Sequence, residues 1–289
     1  MALDLYVNSR NTLLGLESAL RIAMSNANNF NTPGYKYVFA SFTTMYNEAI
    51  SSGTETTNPL QVGSSMTIGA TSTDFTQGNL SIGSPLDTAI VGEGFFMVSA
   101  SASAFAASSA KLYTRSGRFI VDSSNTYLTD AYGRKVYGYE VDSEGNRVSD
   151  ELVPIETNGH TDIGFTDGGI LVNNFNASQE DGGAEQEPLY RLALTSFQNK
   201  QGLVLTSGAA YRATAAAGDQ FEPNIADGTI GDSDNIYGDI APESTESSNV
   251  DVARVALDMN ILNRAYSAIQ AVIDDNSKIL SNLISKIIS

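Results

Sequence analysis

The hydrophobic residues at the end of the chain, over positions 248–288, recur with the alternating three- and four-residue spacing of a coiled coil. The spacing persists for about five heptads, which is longer than the apolar stripe of an ordinary globular helix. Such a helix would extend about 55 Å, and its apolar seam would need a partner in water. The seam consists of Val252, Val255, Met259, Leu262, Tyr266, Ile269, Ile273, Leu280 and Leu283, and it contains one amide, Asn276.

Residues 3–30 carry a second, weaker seam of the same kind, which predicts an N-terminal helix. Ser9 and Gly15 interrupt this seam, and a glycine inside a helix costs roughly 1 kcal/mol relative to alanine. Because the chain has no third seam, we expect the terminal helices to pack on each other, on other copies of the chain, or on both. The large apolar members are Tyr6, Leu13, Leu16 and Leu20.

Between these helices the pattern changes to short apolar runs separated by Gly, Asp and Asn, which is typical of antiparallel strands. We expect strands from about residue 60 to 139, and strands with long acidic loops from 140 to about 247. Residues 35–50 fit either helix or strand, whereas 99–110 and 221–248 have the composition of loops. Ser248 and Asn249 are expected to cap the last helix, with Asp251 in its first turn.

The predicted fold class is therefore α+β, with long N- and C-terminal coiled-coil helices bracketing a β-rich body of antiparallel strands. We expect three domains. Residues 1–35 and 248–289 would form a terminal coiled-coil domain for polymerisation, residues 36–140 a β-rich connecting core, and residues 141–247 an acidic β-rich outer domain.

The charge of the chain is concentrated in its middle. The formal net charge is −17, and residues 140–246 hold 20 acidic but only 4 basic residues. The lack of a basic stripe argues against nucleic-acid binding, and the acidic segment is typical of a solvated surface. There is no cysteine, which excludes disulfides and thiol catalysis. We also expect neither a membrane-inserted helix nor a cleavable signal peptide.

The sequence does not predict a catalytic, cofactor-binding or metal-binding site, and we expect no enzymatic activity. His160 is the single histidine, and we expect it in a solvated loop. Gly92 and Gly94 form a fragment of a phosphate-binding pattern, for which a break between strands is the simpler interpretation. Asp232, Asp234 and Asp239 leave calcium binding open, although their spacing is not that of an EF-hand loop.

Four motifs follow one another along the chain. They are the Asn-rich stretch Ser25–Lys36, the stretch Gln77–Phe96, the stretch Tyr113–Phe119, and Ser248–Asp251 followed by Asn263–Tyr266. In content and order they resemble the motifs of bacterial flagellar rod and hook proteins, including "QGxL…LDxAIxGxGFF", "YTRxGxF" and "SNVD…QRAY". The residues that carry the resemblance are Asn26, Asn29, Asn31, Thr32, Gly34, Tyr35, Gly78, Leu86, Asp87, Gly92, Gly94, Phe95, Phe96, Arg115, Gly117, Asn249, Asp251, Arg264 and Tyr266.

The sequence departs from this family at three positions. Ala27, Asn28 and Asn263 stand where the family usually has other residues. These departures leave the subfamily open between distal rod, proximal rod and hook. Residues 140–247 match no motif of the family.

The resemblance implies that the terminal helices form a coiled-coil inner layer that lines a central export channel, with the β domains outside. It also implies that the unfolded chain leaves through the flagellar type III export apparatus and that neighbouring subunits complete the helical seam. We therefore expect a structural subunit that polymerises helically into the distal rod or the hook and transmits torque. Its partners would be copies of itself, other rod and hook proteins and the export apparatus, in the basal body or hook outside the cytoplasm.

Two alternatives remain at this point. The first is a hook-like subunit that forms a free-standing extracellular filament. The second is a secreted β-rich enzyme or binding module with a coiled-coil oligomerisation tail, against which the single histidine and the missing nucleophile count.

Overall fold

The computed structural model describes residues 2–44, 47–51, 60–63, 65–99, 111–124, 126–176, 185–225 and 237–288. The chain forms two compact units. Unit 1 comprises Met1–Phe30, Tyr37–Asp74 and Val250–Ser289, and unit 2 comprises Asn31–Lys36 and Phe75–Asn249. The fold is α+β, with a β-rich body, a long C-terminal helix and a shorter N-terminal helix. The low-complexity residues 100–110, most of the polar loop at 51–58, and Asp232 and Asp234 lie outside the described residues.

Unit 1 consists of two helices and a pair of two-stranded antiparallel ribbons. Strand β1 pairs with β4, and β2 pairs with β3. Residues 38–44 and 47–51, whose sequence fits helix or strand, are therefore strands. The elements are α1 (Ala2–Asn28), β1 (Val38–Thr44), β2 (Asn47–Ser51), β3 (Leu60–Gly63), β4 (Met66–Thr73) and α2 (Val252–Ile288).

Unit 2 contains the remaining strands and three short 3-10 helices at Asp167–Gly169, Lys200–Gly202 and Ala215–Ala217. The strands are β5 (Leu80–Ile82), β6 (Thr88–Val91), β7 (Phe95–Ser99), β8 (Lys111–Thr114), β9 (Phe119–Val121), β10 (Leu128–Asp130), β11 (Lys135–Glu140), β12 (Val153–Pro154), β13 (Ile163–Thr166), β14 (Ile170–Asn173), β15 (Glu187–Thr195), β16 (Leu203–Leu205), β17 (Ala210–Ala213), β18 (Asn224–Ile225), β19 (Asp239–Pro242) and β20 (Ser244–Glu246).

A 12-stranded antiparallel sheet organises unit 2, with the main order β13-β14-β15-β11-β7-β8-β17-β16. Strand β7 lies inside this sheet and is buried on both faces. Phe96 and Val98 point into one apolar cluster, and Phe95 and Met97 point into another. Alternate side chains of a strand face opposite sides, so an uninterrupted apolar run suits a strand covered on both sides.

The prediction of a loop over residues 221–248 is wrong in part, because β18, β19 and β20 lie within it. Strand β19 pairs with β6, and Ile240 opposite Ile90 is 1% exposed in the core. Strand β20 pairs with β5. Strands β19 and β20 depend on partners about 150 to 165 residues earlier in the chain, which the acidic and Gly-rich composition of this region does not reveal.

The predicted cap of α2 is also corrected. The Asp251 carboxylate accepts hydrogen bonds from the backbone N–H of Ala253 at 2.9 Å and of Arg254 at 3.4 Å. Asp251 is therefore the N-cap, which satisfies two otherwise unpaired helical donors. Asn249 instead donates its side-chain amide to the carbonyl oxygen of Thr76 at 3.1 Å.

Candidate assembly surface and motif cluster

In unit 1, α1 is buried along a stripe of mostly small and polar residues, in which Leu16 is the one large apolar residue. Ser9, Leu16, Ala19, Ala23 and Asn26 are all at most 7% exposed. They recur with a spacing of three, four or seven residues and therefore share one face. Of the predicted seam on α1, Leu16 lies on this face. Leu13 and Leu20 are partly buried, and Tyr6 is 41% exposed.

Small residues occupy this face because α1 packs against strands as well as against α2. The Asn26 amide donates to the carbonyl oxygen of Val38 at 2.6 Å and accepts from its N–H at 3.0 Å. A side chain added at Gly15 would approach the Met66 oxygen and the Thr67 Cα at 3.3 Å. Gly15, which interrupts the apolar seam, therefore allows the backbone of β4 to lie close to the helix.

The predicted seam of α2 coincides with the less exposed face of that helix. Val255 is 2% exposed, Asn276 is 7% exposed, and Val252, at the start of the helix, is 51% exposed. The side chain of Leu283 lies outside the described residues. The seam residues that are partly buried are Met259, Leu262, Tyr266, Ile269, Ile273 and Leu280.

A second apolar stripe runs along α2 and is exposed. Leu257, Ile261, Val272 and Ile279 are 61%, 56%, 43% and 56% exposed, respectively. Separations of four, eleven and seven residues place them within a narrow arc of the helix, distinct from the seam. We did not predict this stripe, although its spacing is visible in the sequence once the seam has been set aside. An exposed apolar stripe of this length is typical of a surface that binds protein.

A groove with a volume of 330 Å³ lies beside this stripe in unit 1, between α1, β1 and α2. Its walls include Phe39, Phe42 and Ile261. Tyr37 lies in the groove and donates its hydroxyl to the Asp258 carboxylate at 2.9 Å, while the Arg254 guanidinium lies 4.8 Å from the Tyr37 ring centre. Burial, followed by the hydrogen bond to Asp258, raises the pKa of Tyr37.

Unit 2 contains a buried cluster of charged residues where the sequence motifs meet. The Glu246 carboxylate accepts from the Lys36 Nζ at 2.5 Å and from the Gly78 N–H at 2.9 Å. The Lys36 Nζ also donates to the carbonyl oxygen of Thr76 at 2.6 Å. Lys36 and Glu246 have no exposed side-chain surface. Two fully buried opposite charges are stable only when they pair with each other and their hydrogen-bonding capacity is used.

Arg115 is the second cation of this cluster. Its Nη1 lies 3.8 Å from the second carboxylate oxygen of Glu246, and its Nη2 donates to the carbonyl oxygen of Gly92 at 2.6 Å. Burial lowers the pKa of Arg115, and the carboxylates of Glu246 and Glu93 oppose that shift. The guanidinium also lies 5.6 Å from the ring centre of Phe95, within the range of a cation–π contact.

The glycines of the motifs mark places where two backbones approach each other. A Cβ at Gly34, where φ is +70°, would lie 2.4 Å from the Ser116 nitrogen. A Cβ at Gly78 would lie 2.0 Å from the Ser247 oxygen, and one at Gly117 would lie 1.7 Å from the Thr88 oxygen. Separations this short exclude any side chain without a backbone shift.

The remaining motif residues are divided between the units. Asn26, Asn29, Asp251, Arg264 and Tyr266 belong to unit 1, and the others belong to unit 2. Within unit 2, Asp87 accepts from the Ser84 N–H at 2.7 Å and so stabilises a turn. The other unit 2 motif residues are Asn31, Thr32, Tyr35, Leu86, Gly94, Phe96 and Asn249, of which Tyr35, Gly94 and Phe96 are buried.

Sequence reasoning missed the charged pair in this cluster. Lys36 ends the Asn-rich motif, and Glu246 lies two residues before the last motif begins. The only indication in the sequence that these two residues are important was that each lies in or next to a motif. Their pairing could not be inferred, because 210 residues separate them.

The described residues contain no group of three or more His, Asp or Glu arranged to hold a metal ion. Asp239 accepts from the Ile240 N–H at 2.7 Å, while Asp232 and Asp234 lie outside this part of the chain. Gly92 and Gly94 have φ values of +107° and +137° and form the break between β6 and β7. His160 lies in a turn, where its N–H donates to the Thr157 oxygen at 2.8 Å.

No helix in the described part of the chain is both long enough and apolar enough to span a membrane. No model of a protein family matches the sequence. Individual proteins do match it. The chain is 24% identical to the flagellar basal-body rod protein FlgG of Bacillus subtilis, over 93% of both chains. It is 27% identical to the flagellar basal-body rod protein FlgG of Agrobacterium fabrum, over 93% of this chain and 94% of that protein.

Hook proteins match a shorter part of the chain. The flagellar hook protein FlgE of Borreliella burgdorferi is 30% identical over 148 residues, which are 48% of this chain and 32% of that protein. The rod proteins thus align along nearly the whole chain, and the hook protein aligns along about half of it. Together with the four motifs, these similarities support a place for the chain among flagellar rod and hook proteins.

Proposed function

We propose that the protein is a structural subunit of the flagellar rod that polymerises helically into an axial tube. The observation that carries this proposal is the similarity to rod proteins over more than nine-tenths of both chains. A subunit that shares nearly the full length of its relatives is expected to share the surfaces by which they assemble.

The exposed stripe of α2 supplies the physical basis for assembly. An apolar stripe that one chain leaves in water gains free energy when another copy covers it. If it contacts a different surface of the next copy, the interface repeats without closing and generates a helical polymer. The seam residues predicted from the sequence would be buried in contacts of the terminal helices, partly within one chain and partly between neighbouring copies.

A hook subunit is the second candidate. The chain covers 32% of the length of the Borreliella burgdorferi hook protein but 93% of the length of the Bacillus subtilis rod protein, and this difference in coverage favours a rod subunit. Straight, stiff polymers of the purified protein would agree with a rod, and curved, flexible polymers would agree with a hook. A free-standing filament would carry no attached basal body in images of whole cells.

The other features of the proposal follow from family membership. The protein would act without catalysis, assemble with other rod and hook proteins, form a central channel, and reach the flagellum through the export apparatus in an unfolded state. The acidic residues 141–247 would form an outer domain that contacts solvent.

A truncation tests the role of the terminal helices in assembly. A chain that lacks residues 269–289 should keep a folded unit 2 and remain monomeric at concentrations at which the full chain forms filaments. Negative-stain electron microscopy measures the polymers, and near-ultraviolet circular dichroism measures the fold of unit 2. Filaments from the truncated chain would contradict the proposal.

A further inference from the structure

Three short segments of unit 2 lead directly into unit 1 along the chain. The chain passes between the units after residues 30, 36, 74 and 249. The segments that flank these passages within unit 2 are 31–36, 75–79 and 246–249, which we call the exit segments. They are far apart in sequence, yet within unit 2 they contact one another.

Backbone hydrogen bonds connect the exit segments in pairs. The Gly34 N–H donates to the Glu246 carbonyl oxygen at 2.8 Å, and the Ser247 N–H donates to the Asn79 oxygen at 2.9 Å. The Asn249 N–H donates to the Tyr35 oxygen at 3.4 Å. These bonds join the segments two at a time, as does the Asn249 side-chain amide that donates to the Thr76 carbonyl oxygen at 3.1 Å, so an interaction that reaches all three segments at once would couple them.

The Glu246 carboxylate provides that interaction, since it binds all the exit segments at once. It belongs to the third segment, accepts from Lys36 of the first, and accepts from the Gly78 N–H of the second. Lys36 in turn donates to the Thr76 oxygen of the second segment. The three segments therefore share one buried pair of charges.

The electrostatics make this carboxylate hard to replace. Glu246 lies between two buried cations, Lys36 and Arg115, whose side chains are 0% and 3% exposed. Neutralising Glu246 would remove the charge that pairs with Lys36 and the nearer of the two carboxylates that act on Arg115, and proteins strongly avoid burying a cation without its counter-charge. Removal of Lys36 would leave the carboxylate with Arg115, so its effect should be smaller.

We propose that Glu246, Lys36 and Arg115 form a buried ionic latch that makes the three exit segments open and close as one cooperative element. Lys36 and Glu246 are 210 residues apart, so the latch closes only after the C-terminal part of the chain has joined the N-terminal part. This role concerns the folding of unit 2 in one chain, and it stands whether or not the protein forms a rod.

Hydrogen exchange of the full-length monomer tests the latch. Glu246→Gln keeps the shape of the side chain and removes its charge. We expect the amides of Gly34, Gly78 and Ser247 to exchange at least about tenfold faster, because opening of the latch exposes all of them. The amides of β7 and β15 should keep their wild-type rates. Lys36→Met should give the same pattern with a smaller increase, and it serves as the second variant if Glu246→Gln does not fold.

A matched control is available in the same unit. Asp130 and Arg134 form another buried ion pair, at 2.5 Å, but they are only four residues apart. Asp130→Asn should accelerate exchange at the Tyr132 and Arg134 amides, which donate to that carboxylate, and leave the exit segments protected. The latch is refuted if Glu246→Gln leaves the exit-segment amides at wild-type rates, if it accelerates β7 and β15 equally, or if Asp130→Asn opens the exit segments to the same extent.

Discussion

Replacing Leu257 and Ile261 by glutamine should abolish or strongly weaken assembly without destabilising the monomer. Both side chains are more than half exposed in one chain, at 61% and 56%. Exposed substitutions away from special backbone features usually change the free energy of unfolding by less than about 0.5 kcal/mol. Glutamine is also a good helix former, so α2 should persist in the variant.

The expected effect on assembly follows from the surface that remains to be buried. Full burial of a large apolar side chain contributes about 1.5–3 kcal/mol, and slightly more than half of each of these side chains is still exposed. Each residue should therefore contribute about 1–2 kcal/mol to contacts between copies. At about 1.4 kcal/mol per factor of ten, the double variant should raise the critical concentration for polymerisation by roughly 30-fold to several hundred-fold.

Sedimentation of polymer from solutions of increasing protein concentration measures the critical concentration directly. Val148→Gln is the matched control, because Val148 is 64% exposed but lies in unit 2. It should leave the critical concentration at the wild-type value. Equal critical concentrations for the double variant and the wild type, with both monomers folded, would show that the exposed stripe of α2 does not contribute to assembly.

Two further predictions concern stability. Asp251→Ala should lower the free energy of unfolding of α2 by about 0.5–2 kcal/mol, and Asp251→Ser should restore most of that loss, because serine is also a good N-cap residue. The thermal loss of helical circular dichroism measures this stability. Equal stability of the alanine and serine variants would contradict the capping role. Burial raises the pKa of Tyr113 from 10.0 to about 12, so the neutral phenol contributes stability that is complete below pH 10 and is lost as the pH rises towards 12. Tyr113→Phe should therefore make the urea stability of unit 2 fall less steeply over that range, and identical slopes would argue against a buried neutral phenol.

The secondary structure was largely predictable, because it depends on local periodicity. The seven-residue repeat located both terminal helices, and the short apolar runs between turn residues located the β-rich body that lies between them in the sequence. Strands β19 and β20 were missed because their stability comes from pairing with β6 and β5. A strand with a weak local preference forms when a distant partner supplies its hydrogen bonds.

The candidate site was only partly predictable for the same reason. The motifs identified glycines such as Gly78 from the sequence. The reason that a glycine is needed there is that a Cβ at this position would lie 2.0 Å from a backbone oxygen of another segment, and this depends on which segments meet in the fold. The spacing of the exposed apolar stripe on α2 could have been predicted from the periodicity of the sequence. Its exposure could not, since that depends on which face of the helix α1 covers.

The sequence alone thus determined the two helices, the antiparallel β body, the location of the acidic charge and the resemblance to flagellar rod and hook proteins, because each is encoded in contiguous residues. Only the tertiary structure decided that α1 buries its small and polar face and that Lys36 pairs with Glu246. Both outcomes depend on close contacts between segments far apart in the chain, where a few tenths of an ångström and a single buried charge determine which arrangement is stable.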